Sequence, residues 1–426
     1  MFKKIPLSDL TIKITDGSHF SPTPVEQGRL IANVKDMQGG HVNLDSCTRI
    51  SDKDYSKLDA SGCVAKKNDV LLSKDGTVGK VAIVDDDNQL ATLSSIAIIR
   101  TLEQANHRYV GQFLKSEDAK RQYDNAMSGS ALRRLVLRDI NSLKIPTPPK
   151  VEQELIAHLL DTLDTQIQKT EALIAKLEKV KEGLLHDLLT RGIDESGQLR
   201  PSPEKAPELY KESPLGLIPR EWSCQELAAA ADVQRGRFTH RPRNDPAFYG
   251  GDYPFIQTGD VAAAKGGIVI DFSQTLSRLG TTASSLFPAR TIAITIAANI
   301  ADTAILGRPM YFPDSVVGAV VNDGANARFV ELCIRRAKRS LDARAPQSAQ
   351  KNINLQDLRP LLIPFPCLCE QNRIAESYEV FMGRVLAERQ KLTKLKSEKI
   401  ALMDDLLTGR VRVTPLLEKA QATTPA

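Results

Sequence analysis

Between residues 145 and 190 the chain repeats a narrow apolar stripe at alternating spacings of three and four. Its members are Ile156, Leu160, Leu163, Ile167, Thr170, Ile174, Leu177, Lys181, Leu184 and Leu188. This is the heptad period that drives helices together, so it predicts one long helix in need of a partner. The chain supplies that partner itself. Residues 363–408 match the first stretch without a gap at a constant offset of 218, which carries Ile145 onto Ile363. The second stripe is Ile374, Tyr378, Phe381, Val385, Glu388, Leu392, Leu395, Lys399, Leu402 and Leu406. Identities extend beyond the stripe to Pro146/Pro364, Pro148/Pro366, Glu152/Glu370, Gln153/Gln371 and Asp187-Leu188-Leu189-Thr190/Asp405-Leu406-Leu407-Thr408. The polar breaks Thr170/Glu388 and Lys181/Lys399 are candidates for setting register, with a Lys–Glu pair across the two helices as one device.

The segments before each helix alternate short apolar runs with turn residues, as in RLIANVKDM (29–37), NDVLLSKDGTVGKVAIVDDD (68–87) and YPFIQTGDV (253–261). They also carry helical patches at 107–126 and 329–343. The expected architecture is therefore α/β (α+β). Two globular domains, 1–144 and 223–362, are separated by long helices at 145–192 and 363–411 that form an antiparallel coiled coil with pseudo-two-fold duplication. Residues 193–222, rich in Pro, Gly and charge, read as an exposed linker, and 412–426 as a flexible tail. Ser130/Ser348, Leu137/Leu355, Asp139/Asp357 and Leu143/Leu361 keep the same offset, so the duplicated unit is a domain plus its helix. The globular parts diverge.

Composition adds limits. The net charge of +5 and pI near 8.7 favour a polyanionic partner without demanding one. Cys47, Cys63, Cys224, Cys333, Cys367 and Cys369 form no C-x-x-C pair and have no His at zinc spacing, so they read as reduced structural thiols of a cytoplasmic protein. The N-terminus MFKKIPLSDL has no apolar signal core, and TIAITIAANIADTAIL (291–306) is too short and polar to span a membrane. DGTVGK (75–80) is not a P-loop: two residues rather than four separate Gly76 from Gly79, and Val81 follows Lys80. It reads as a turn, with Lys74 and Lys80 as candidate contacts to a phosphate backbone. His19, His41 and His240 lie in polar loops without a paired nucleophile or ligand set. Neither an adenine-gripping Asn/Asp-Pro-Pro-Tyr/Phe nor a Gly-rich cofactor loop is present.

GSALRRLVLRDINSLKIPTPP followed by EQELIAHLLDTLDTQI, then ESPLGLIPREW, then QSAQKNINLQDLRPLLIPFP with EQNRIAE, resembles the DNA-sequence specificity subunit of type I restriction–modification enzymes. The resemblance runs from Leu7 to about Val411. It implies a non-catalytic subunit whose two globular domains each read one half of a bipartite double-stranded target, with the helices as a ruler. A helix of about forty residues is on the order of 60 Å long, more than the ~34 Å turn of B-DNA that separates successive half-sites. The resemblance further implies docking of modification (methyltransferase) subunits, two of them, and of restriction (motor/nuclease) subunits. S-adenosylmethionine, ATP and Mg would then sit on those partners, with no cofactor or metal on this chain and no membrane.

Three basic clusters are the candidate DNA contacts: Arg133, Arg134 and Arg138; Arg235, Arg237, His240, Arg241 and Arg243 around Phe238; and Arg335, Arg336 and Arg339 with Lys338 and Arg344. Arginine serves both guanine readout and phosphate neutralisation. The loop 235–243 is the strongest, because four arginines among turn residues have no helix face to decorate. The alternative reading is a coiled-coil adaptor whose two modules bind something other than DNA.

Overall fold

The computed structural model describes residues 2–85, 90–127, 134–297, 299–344 and 352–422. The chain divides into two compact units, 1–174 with 388–426 and 175–387. Each unit holds a globular lobe and a part of both long helices, which run Lys150–Leu188 and Leu368–Thr408. The boundaries therefore fall inside the helices rather than at their ends.

In the first unit the strand Lys4–Pro6 pairs antiparallel with Lys144–Pro146, Ile5 opposite Ile145. Residues 145–149 are thus a strand and a Pro-Pro corner, and the helix expected from 145 begins at Lys150. Proline removes a backbone donor and biases the preceding residue toward extended conformation, which places the helix start after Pro149. An antiparallel sheet runs in the order Thr11–Asp16, Ile96–Thr101, Val70–Ser73, Val81–Ile83. The helix His107–Leu114 covers it with Tyr109, Val110 and Phe113, which share one core with Val70, Leu72, Ala97 and Ile99. Ile156, Ala157 and Leu160 of the first long helix join that core, as do Met403, Leu406 and Leu407 of the second. Asp164 meets Lys399, and Glu171 meets Lys396 at 2.7 Å, so the two helices are antiparallel here.

The second unit repeats the plan. Ser223–Glu226 pairs with Leu362–Phe365, and the sheet order is Ala231–Arg235, Val316–Val321, Ile292–Thr295, Thr303–Leu306, antiparallel throughout, with Ile268–Val269 added parallel at the edge. The helix Ala327–Arg344 lies against it, and Leu188, Ile374 and Tyr378 complete the core. The lobes that look divergent in sequence thus share strand order and direction.

Four sequence expectations need correction. Residues 193–222 are folded, not an exposed linker: Tyr210–Ser213 and Gly216–Pro219 form a hairpin, and Ile193, Tyr210, Ile218 and the single tryptophan, Trp222, are buried. The segment after 412 is not simply a tail, because Val413 is in the first lobe's core and Thr414–Ala422 is helical. Leu402 does not belong to the packed stripe. It is 37% exposed while Met403 is buried, because a straight helix of 3.6 residues per turn drifts off a 3.5 repeat and its last turns pack on the lobe's core. Finally, Lys181 pairs with Glu178 of its own helix at 2.9 Å, and the ion pairs that do cross between the helices include Lys399 with Asp164 and Lys396 with Glu171.

The remaining stripe residues grade from buried Ile156, Leu160, Leu177, Ile374, Val385 and Leu395 to half-buried Leu163, Ile167, Ile174, Leu184, Phe381 and Leu392. Among the described residues, no helix is long and apolar enough to cross a membrane, and no three His, Cys, Asp or Glu side chains are grouped to hold a metal ion.

Candidate nucleic-acid interface

The strand Ala231–Arg235 ends on Gly236, where a Cβ would collide with the carbonyl oxygen of Pro313. Only glycine lets the chain turn this close to its neighbour. The loop that follows is anchored by Phe238, 4% exposed, whose ring lies 5.6 Å from Tyr249 and 5.5 Å from Phe255. His240 stacks on Phe248 at 3.8 Å and sits 3.1 Å from Asp245.

Above this aromatic base the four arginines have unequal duties. Arg243 pairs with Asp314, Arg235 donates to the Asp314 carbonyl at 2.6 Å, and Arg241 donates to the carbonyls of Phe238 and His240, each at 2.7 Å. Arg237 is exposed and has no side-chain partner among the described residues. Asp314 also lies 3.6 Å from Arg241, so its one carboxylate faces two guanidinium groups and the loop keeps excess positive charge. Three arginines build the loop. The fourth is not engaged among the described residues, and its planar fork of donors has the geometry of a group that pairs with a phosphate or a guanine edge.

The other clusters behave differently. Arg134 is exposed and 3.0 Å from Asp75, Arg138 is exposed beside Asp139 at 3.9 Å, and Arg133 lies outside the described residues. Lys74 does not face solvent. Its side chain is 1% exposed and held between Asp16 at 3.3 Å and Asp75 at 3.4 Å, so it supports the turn from within and is withdrawn as a DNA contact.

Arg335 and Arg336 are withdrawn as well. Arg335 binds Glu331 at 2.6 Å, Tyr378 Oη at 2.6 Å and the Gly266 carbonyl at 3.1 Å. Burial would lower its pKa, but the Glu331 carboxylate more than offsets this and the guanidinium is held charged. Glu331 is fully buried and must be paired, which commits both Arg335 and Arg328. Arg336 donates to the Leu189 carbonyl at 2.9 Å, satisfying an orphan acceptor at the end of the first long helix. Arg339 stays exposed.

Sequence reasoning missed a second duplicated motif, Asn106-His107-Arg108-Tyr109-Val110 and Asn326-Ala327-Arg328-Phe329-Val330. Its offset is 220, so an ungapped comparison at 218 passes over it. Gln153 accepts from the Asn106 backbone at 2.9 Å, and Gln371 from that of Asn326 at 2.9 Å. Arg108 pairs with Asp161 at 3.1 Å, and Arg328 with Glu379 at 3.1 Å. The repeated glutamine, with the arginine two residues after each asparagine, thus fastens each lobe to a long helix. Burial, with Asp36 nearby, pushes the Cys47 thiol up to about 11, and burial raises Cys63 and Cys333, so these three are held as neutral thiols.

Comparison with known proteins agrees with this plan. The family described as the type I restriction modification DNA specificity domain matches residues 40–179 and 221–397. The type I restriction enzyme MjaVIII specificity subunit of Methanocaldococcus jannaschii is 24% identical over 400 residues, covering 85% of this chain and 83% of that protein. The EcoBI specificity subunit of Escherichia coli is 24% identical over 341 residues, covering 69% and 67%. The crystal structure of the S subunit of a type I restriction-modification system from M. genitalium shares the fold, with a TM-score of 0.58 at 15% identity and 96% of each chain covered. That of the HsdS subunit from Thermoanaerobacter tengcongensis gives 0.52 at 18% identity, covering 96% of this chain and 97% of that one. The chain, matched twice along its length by one domain family, belongs to the DNA specificity family of type I restriction-modification systems.

Proposed function

We propose that each lobe reads one half of a bipartite duplex target. On this reading the two long helices fix the number of unspecified base pairs between the halves. The chain directs adenine methylation by two modification subunits docked on it, and restriction by motor/nuclease subunits. S-adenosylmethionine, ATP and Mg belong to those partners, and the complex works on genomic DNA in the cytoplasm.

The observation that carries the reading is the loop 235–243, where an unpartnered Arg237 projects from a framework of internally held arginines. A protein that neutralises phosphates releases counterions, so the logarithm of its DNA affinity falls linearly with the logarithm of salt concentration. Titrating duplex DNA into the full chain across a salt series tests this directly. The reading expects steep salt dependence, with Arg237→Ala weakening binding. Salt-insensitive binding to protein partners with no DNA affinity would favour the adaptor alternative instead.

A further inference from the structure

The internal duplication makes the basic loop a guide to the other lobe. Gly17 ends the strand Thr11–Asp16 as Gly236 ends Ala231–Arg235, and a Cβ on Gly17 would collide with the carbonyl oxygen of Thr92. The hydrogen bonds that follow also correspond. Gly17 N–H donates to Ile96 O at 3.1 Å and Ser18 N–H to Thr92 O at 2.8 Å; Gly236 N–H donates to Val316 O at 2.8 Å and Arg237 N–H to Phe312 O at 3.1 Å. Ile96/Val316 and Thr92/Phe312 share the offset of 220 that relates Asn106 to Asn326. The isolated bridges Asp75–Arg134 and Ala297–Asn352 recur at corresponding places as well. Residues 18–24 therefore occupy in the first lobe the place that 237–243 occupy in the second.

The chemistry at that place is different. His19 and Phe20 are exposed, Phe20 by 60%, and the Ser18 hydroxyl ties back to the Phe20 carbonyl at 2.6 Å. In the second loop the aromatic residue, Phe238, is buried and the arginines are outside. A singly exposed apolar side chain is ordinary on a protein surface, so what singles out Phe20 is its place on the loop that corresponds to 237–243. Such a side chain suits contact with a thymine methyl group or insertion at a base step, whereas the arginine loop suits guanine.

We infer that residues 18–24 are the DNA-contacting loop of the first lobe, with His19 and Phe20 touching the first half-site. This rests on the reading of 235–243 as the contact loop of the second. The two loops share one backbone device and differ in side chains, so one fold reads two different half-sites.

The test uses the full chain assembled with its modification subunits, once its methylated motif has been mapped. Methylation is measured on duplexes substituted in one half or the other, for Phe20→Ala, His19→Ala and Arg237→Ala, with the melting temperature of each variant recorded. Phe20→Ala should lower methylation by about tenfold and relax base discrimination in one half of the motif only. Arg237→Ala should do so in the opposite half. If Arg237→Ala acts and neither Phe20→Ala nor His19→Ala does, the inference is overturned and the reading of the second loop stands. If Phe20→Ala acts and Arg237→Ala does not, the first loop is supported and the reading of the second fails. Unchanged methylation in all three variants overturns both.

Discussion

Glu370, in the first turn of the second long helix, receives the guanidinium of Arg200 on both carboxylate oxygens. It also accepts the indole N–H of Trp222 at 3.0 Å and the Ile193 backbone N–H at 3.0 Å. Glu152, at the corresponding place on the first helix, receives Arg412. In each unit the start of one long helix thus grips the segment that leaves the end of the other. The repeat closes twice with the same ion pair.

The two grips differ in burial, and so should their worth. Arg200 is 10% exposed against Glu370 at 3%, whereas Arg412 is 49% exposed. Removing one partner of a buried pair strands the other, at about 3–5 kcal/mol. Glu370→Ala should destabilise the second unit by that order, and Glu152→Ala should destabilise the first by less. Trp222, the single tryptophan, reports the difference: its emission should shift to the red at lower urea in Glu370→Ala only.

Arg335 and Arg237 separate structure from recognition. Arg335→Ala leaves the buried Glu331 short of a partner and should lower stability by roughly 3 kcal/mol. The salt slope of DNA binding should stay unchanged while the protein is folded. Arg237→Ala should leave the melting temperature alone and weaken DNA binding at one half-site. Arg241→Ala should do both, since that side chain ties two carbonyls of its own loop.

The glycine at the root of each loop is a steric requirement. Gly236→Ala forces its Cβ into the Pro313 carbonyl, and Gly17→Ala into that of Thr92. Backbone must move in both cases, at about 1–3 kcal/mol. Each variant should lose discrimination in a different half of the target, measured as methylation of half-substituted duplexes.

Asp164 links stability to acid. Burial raises its pKa, but Lys115, Lys399 and the Gln112 amide at 2.8 Å together bring it below the usual carboxylate range. A folded pKa below the unfolded one means that this stabilisation is fully present above the ordinary value of 3.8. It is lost as pH falls through the lower folded value. Asp164→Asn should therefore flatten the acid limb of the first unit's stability, read by hydrogen exchange between about pH 5 and about pH 3.

The long helices were legible because a period of three and four survives in a single sequence, and the 218 offset doubled the signal. Their edges were not. Pro-Pro at 148–149 reads equally as the first turn of a helix or as the corner before it. Residues 193–222 looked like a linker because Pro, Gly and charged residues break up their apolar side chains and leave no helical or strand period. Four well-spaced anchors, Ile193, Tyr210, Ile218 and Trp222, fold them all the same. For the binding clusters, sequence could group arginines but not say which were already engaged. Arg237 and Arg335 look alike in a list, and what parts them is a buried Glu331 that only tertiary packing places beside one of them. Phe20 was passed over because a loop aromatic carries no periodic signal, and its role emerges only when the two lobes are matched strand by strand.

The most direct measurement is methylation mapping of genomic DNA from cells carrying this chain with its modification partner, against cells lacking it. The account predicts a new split motif of two short defined blocks around a fixed unspecified gap, with adenine methylated in each. An active partner whose methylation shows no motif dependent on this chain would contradict it.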